Sequence, residues 1–157
     1  MDLVQKLLNK NIRVTELQAW GAYLRFQWEY SFAGGLSAYE KAGVYLHDSD
    51  GACGYLWHLF SWKKAECLEG DSADAAFSWA EKAGCYLFYQ HCDEALILED
   101  AFSLQTCDLL EEEDVYITDR KFRWTYVRTH ETGLCGPYFH HLDQSPAAIF
   151  QAGSAST

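Results

Sequence analysis

The sequence predicts an α+β fold: N-terminal helices packed on one face of an antiparallel sheet built from two β-hairpins. Three observations predict it. Helical apolar spacing dominates residues 2–83, whereas short strand-like runs separated by polar turns fill 85–99 and 114–129. The polar connection inside 85–99 has four residues, too few for the crossover that a parallel pair needs. Helices precede strands instead of alternating with them, which is the α+β order. At 157 residues one domain is expected, with residues 1–139 as its body. Residues 140–157 form a C-terminal tail, partly disordered, whose last six or so residues are expected to fray.

The elements follow in order. Leu3, Val4, Leu7 and Leu8 share a face of a short helix over 2–9, which Asn9-Lys-Asn11 breaks. Thr15-Glu-Leu-Gln18 reads as a capping box that opens a long helix to about Phe32. Leu17, Trp20, Leu24 and Trp28 make its buried stripe, and Tyr23, Phe26 and Tyr30 widen it. Gly34-Gly35 ends the helix. Ser37-Ala-Tyr-Glu40 is a second capping box, before a short helix that stops at Gly43. Asp48-Ser-Asp-Gly51 is a turn. It is not a calcium loop, because the twelfth position is Leu59, where a bidentate Glu is required. The apolar run 54-GYLWHLFSW-62 fits helix or strand. Asp71 or Ser72 caps a helix to about Ala83, stopped by Gly84. CYLFYQ (85–90) and ALILE (95–99) form a hairpin around 91-HCDE-94. Residues 103–114 suggest a helical turn. DVYIT (114–118) and FRWTYVRT (122–129) form the second hairpin, with Trp124 and Tyr126 on one face.

The formal charge is −11, unevenly spread. Residues 66–119 hold 15 acids and one base, Lys82. Such a field repels phosphate backbones and suits a basic protein, so no nucleic acid partner is expected. The N-terminus has no signal-peptide pattern, and no apolar run approaches the ~20 residues of a membrane span. A cytoplasmic protein without membrane contact is expected. Its six cysteines (53, 67, 85, 92, 107, 135) are then thiols, and none has C-x-x-C spacing.

No phosphate loop, nucleophile elbow or zincin motif occurs. His130, Glu131, Cys135, His140 and His141 are the nearest approach to a zinc set, but their spacing is loose. No metal and no cofactor are expected. Cys92 beside His91 suggests a nucleophile and base, yet neighbours in an extended segment face opposite ways. His58 sits in an apolar run, where a histidine is ordinarily a hydrogen-bonded core or rim residue. If the chain were instead a small enzyme or metal protein, it would use His58, His91, Cys92, His130 and Glu131. The most pronounced polar feature is the run Asp108, Glu111, Glu112, Glu113 and Asp114, expected to stay solvated.

The motifs 56-LWHLFSW-62, 66-ECLEGDSADAAF-77, 84-GCYLFYQH-91, 115-VYITDRKFRWTYVRTHE-131 and 134-LCGPYF-139 together resemble a family of small uncharacterised proteins of Gram-positive bacteria, a domain of unknown function. The resemblance covers about residues 20–139. It implies a small cytosolic bacterial protein and carries over no catalytic residue. By analogy with small acidic proteins that neutralise toxins, the leading expectation is a non-enzymatic, immunity-type inhibitor of a basic toxin. Glu99, Asp100, Asp108, Glu111, Glu112, Glu113 and Asp114 would face the partner, with Tyr116 and Trp124 as anchors. A further alternative is a homo-oligomeric regulatory module, with an edge strand pairing across subunits.

Overall fold

Asp2 accepts a hydrogen bond from the Gln5 amide (2.8 Å) and starts α1 (Leu3–Asn9). The next segment departs from expectation. Arg13–Leu17 is not a helix entrance but strand β1, paired with β4 (Ala95–Glu99) so that Thr15 faces Ile97. A β-branched Thr followed by Glu serves a strand as well as a cap, and the long-range partner decided between them. Helix α2 (Gly21–Phe32) therefore begins later, with Trp20 at its cap position. The Ser37 box forms as expected: the Glu40 amide donates to Ser37 Oγ (3.1 Å), and the Ser37 amide donates to Glu40 (3.0 Å). It opens α3 (Ala38–Gly43).

The computed structural model describes residues 1–155. After α3 come α4 (His58–Ser61), β2 (Leu68–Glu69), α5 (Asp71–Trp79), β3 (Gly84–Tyr89), β4, β5 (Val115–Asp119), β6 (Trp124–Arg128), β7 (Tyr138–His141) and α6 (Pro146–Ala155). The cap of α5 is Gly70 with φ of 69°, and the helix ends at Trp79, so Gly84 lies in β3 and not at a helix stop. A 3-10 turn spans Thr106–Leu109. The seven strands form one antiparallel sheet in the order β1-β4-β3-β5-β6-β7-β2. β7 continues through His141, so the sheet runs past position 139. Residues 156 and 157, the end of the stretch expected to fray, lie outside the described residues.

Helices cover both faces of the sheet, not one. Leu3 and Leu7 of α1, Ala73, Ala76 and Phe77 of α5 and Ile149 of α6 pack with Val115, Ile117, Trp124 and Tyr126. On the other face Leu24, Trp28 and Phe32 of α2 and Leu59 and Phe60 of α4 pack with Phe88, Tyr116 and Val127. β5 and β6 are consequently buried at every position. Strands apolar on both faces read as continuous runs, which is how 115–118 and 124–127 look.

α2 holds a second departure. Leu24, Trp28 and Phe32 face the core, but Trp20, Tyr23, Phe26 and Tyr30 are 40, 54, 64 and 74% exposed. One helix offers a sheet only a stripe roughly 100° wide, and the remaining aromatics are left outside. The charged residues of α2 turn to its flanks. Glu29 takes Lys41 (2.9 Å) and also His47. Burial pushes the Glu29 carboxyl up, but the hydrogen bonds from His47 and Lys41 outweigh it and hold the group below its ordinary 4.5. A depressed carboxyl contributes stability above the unfolded value and loses it as pH falls through the folded one. Glu29→Gln should therefore be less stable than wild type at pH 6, with the gap shrinking below about pH 4.5. Urea unfolding across this range measures it. A gap that stays constant down to pH 3 would contradict the assignment.

Candidate functional site

Antiparallel pairing puts the end of β3, the starts of β4 and β5 and the end of β6 at one end of the sheet, since Phe88 faces both Ala95 and Tyr116 and Val115 faces Arg128. Three polar segments far apart in sequence therefore meet there: the 91–94 turn, the 111–114 loop and His130-Glu131.

Asp114 organises the junction. It has φ of 49°, a conformation that Asp tolerates better than most residues. Its Oδ1 accepts from the Trp57 indole N–H (2.9 Å), the His130 amide (3.1 Å) and His130 Nδ1 (3.0 Å). The segment before α4 is pinned from below. Gln90 Oε1 accepts from the Leu56 amide (3.0 Å), and the Tyr116 hydroxyl accepts from the Trp57 amide (3.1 Å). Tyr55 is thereby held over the sheet end. Its ring touches His58, His91 and His130 at centroid distances of 5.4, 5.2 and 5.1 Å. Burial raises the Tyr55 phenol above its ordinary 10.0, and the charge of Asp114 adds to this.

Four of the five residues of the enzyme alternative thus come together: His58, His91, His130 and Glu131. The three histidines meet through Tyr55 and not through one another, and Glu131 joins them beside His130. His58 Nδ1 is committed to the Tyr45 carbonyl (2.8 Å). His130 Nδ1 faces Asp114, which leaves Nε2 outward, 3.7 Å from Glu131 Oε1. Cys92 does not join them. Its thiol approaches the Glu94 carbonyl (3.9 Å) on an exposed turn. The looser zinc set does not assemble around His130 either, because His140 Nδ1 bonds the Glu66 carbonyl (2.6 Å) and its ring packs on Phe32 and Phe60. Among the described residues no three His, Cys, Asp or Glu side chains are placed to hold a metal ion. A cleft of about 690 Å³ is lined by Phe60, Lys63, Lys64, Cys67, Cys135 and Tyr138, away from these histidines.

The acidic contact set needs correction. Tyr116 and Trp124 are 0 and 4% exposed, so neither can anchor a partner. Both lie in strands covered on two faces. Asp114 is buried under Trp57 and His130, and Asp108 is buried against Lys10 (2.7 Å). Glu99 and Asp100 pair with Arg13 (3.3 and 3.0 Å) at the far end of the sheet, where β4 ends beside the start of β3. Of the run, Glu111 and Glu113 stay exposed, Glu112 is half-buried and receives the Tyr89 hydroxyl, and Glu111 reaches Lys6 at 3.5 Å. Burial, then the Glu112 hydrogen bond, raises the Tyr89 phenol.

The turn 91–94 is also more than a solvated connection. Arg25 of α2 donates to the Tyr89 (3.0 Å) and Cys92 (2.7 Å) carbonyls, and the Gly21 amide donates to that of Asp93 (2.9 Å). A Cβ at Gly21 would come within 2.5 Å of the Cys92 carbonyl oxygen, so the helix start needs glycine to seat on the turn. Lys82, the one base of the acidic stretch, is 1% exposed. Its ammonium takes the Ser78 and Ala80 carbonyls (3.3 and 3.2 Å) and lies 4.8 Å from the centre of the Phe77 ring. It therefore neutralises none of the acidic surface. Tyr55, Trp57 and Gln90 were not singled out from sequence. The only signal was the apolar run 54–62, ambiguous between helix and strand.

Fold and site define a small α+β protein whose sheet end carries an aromatic and imidazole centre held by Asp114 and bordered by Glu131. The chain belongs to the family described as Domain of unknown function (DUF4275), which matches residues 1–139. No curated protein and no solved structure is found to match it. Among the described residues no helix is long and apolar enough to cross a membrane.

Proposed function

We propose that the protein is a non-enzymatic binding protein that takes a basic protein partner at this end of the sheet, in the manner of an immunity-type inhibitor of a toxin. One observation carries the reading. Glu94, Glu113 and Glu131, from three separate segments at this end of the sheet, are exposed, Glu131 stands beside His130 in the Tyr55 cluster, and Lys82 is turned inward. A cationic side chain of the partner would find the Tyr55 ring with the Glu131 carboxylate beside it, and further acids on the neighbouring segments. Complementary charge raises association rates more than final affinity.

The test uses the product of the neighbouring gene as the candidate partner. Reversing Glu94, Glu113 and Glu131 to Lys should slow association at least tenfold at low salt and flatten its salt dependence. Association unchanged by these reversals, or insensitive to salt in the wild type, would remove the basis of the proposal.

A further inference from the structure

The outer face of α2 does not belong to the acidic site. Its exposed residues are Ala22, Tyr23, Phe26 and Tyr30, preceded by Trp20, and none is charged. Two acids beside it are already paired within the chain: Glu29 with Lys41 and His47, and Asp93 with Arg25 (3.4 Å). An aromatic side chain offers roughly 150–250 Å². At the exposures given above, the stripe presents about 450 Å² of apolar surface, as large as the functional patches of typical monomers.

We propose that this face is covered by the same face of a second copy, with two α2 helices packed antiparallel across a two-fold axis. The charge pattern selects this occupant. An uncharged aromatic patch gives a basic partner no charge to recognise, whereas an identical face matches it in character. The −11 of each chain opposes the contact, and Asp93 and Glu94 stand on the turn beside the start of α2, so the dimer gains from salt that screens this repulsion. An isologous contact uses one patch twice, so a single stripe suffices. Antiparallel packing also opposes the two helix dipoles. The buried area is at most about 900 Å², below the ~1,200 Å² at which specific stable interfaces begin, so the dimer is weak and concentration-dependent.

Sedimentation of the purified full chain between about 10 μM and 1 mM tests this. The expected result is a monomer–dimer equilibrium that strengthens as salt rises from 50 to 500 mM, because the contact is uncharged and the repulsion is screened. Phe26→Glu with Tyr30→Glu should abolish the dimer with the fold intact by circular dichroism, whereas Leu134→Glu, at another exposed position, should leave it unchanged. A wild type still monomeric at 1 mM overturns the proposal. So does a dimer that survives the α2 changes, or one that salt dissolves. Protection of Tyr23, Phe26 and Tyr30 from hydrogen exchange or labelling only by the neighbouring gene's product would assign the face to that partner instead.

Discussion

Trp28→Ala is expected to destabilise the protein by about 3–5 kcal/mol, a large share of the ~5–15 kcal/mol that holds a domain of this kind together. Trp28 is fully buried where α2 crosses the sheet. It meets Phe32, Phe60 and Tyr116 at centroid distances of 5.2, 5.8 and 5.4 Å, so it joins α2, α4 and β5. Its indole N–H donates to Thr125 Oγ1 (2.9 Å), and that hydroxyl donates to the Ile117 carbonyl (3.1 Å). Alanine leaves a cavity that three elements cannot close at once. Trp28→Phe keeps most of the contact and loses the indole bond, so about 1–2 kcal/mol is expected. Urea unfolding of both variants measures the difference. Equal losses would mean that the hydrogen bond, and not the packed volume, dominates.

Asp114→Ala is expected to cost about 2–4 kcal/mol. The change strands the Trp57 indole and the His130 amide as donors without an acceptor, and it places alanine at a left-handed backbone position. Asp114→Asn retains one side-chain oxygen and tolerates that backbone, so about 1 kcal/mol is expected. The two variants also separate stability from site geometry. In both, the His130 ring loses its carboxylate, which imidazole resonances in a proton–nitrogen spectrum would report. If Asp114→Ala left stability and the His130 resonances unchanged, Asp114 would not organise the sheet end.

Much of the fold was legible because local pattern and tertiary structure agree there. Ser37 and Glu40 close a capping box within four residues of chain. The short strand-like runs in 85–99 and 114–129 mark strands that do pair antiparallel. The misread elements are those where one pattern suits two structures. Thr15-Glu-Leu-Gln18 fits a cap or an edge strand, and the presence of β4 alongside chose the strand. Tyr23, Phe26 and Tyr30 fit a buried stripe, but the apolar side chains that α2 packs on the sheet are Leu24, Trp28 and Phe32.

The candidate site was legible only in its parts. His58, His91, His130 and Glu131 were named for their chemistry, and Glu111 and Glu113 for their charge. Nothing in their spacing shows that they share one end of a sheet, because pairing across β3, β5 and β6 brings them together. For the same reason Asp114 and Tyr116 could not be told from solvated neighbours.

By itself, then, the sequence determined the α+β class, the four strand segments β3 to β6, the acidic excess and its concentration in 66–119, since composition and short-range pattern are properties of the chain alone. The tertiary structure decided which carboxylates remain free, which aromatics face water and which histidines meet at Tyr55. Exposure and neighbourhood depend on what lies across the sheet, and that is fixed by contacts between residues dozens of positions apart.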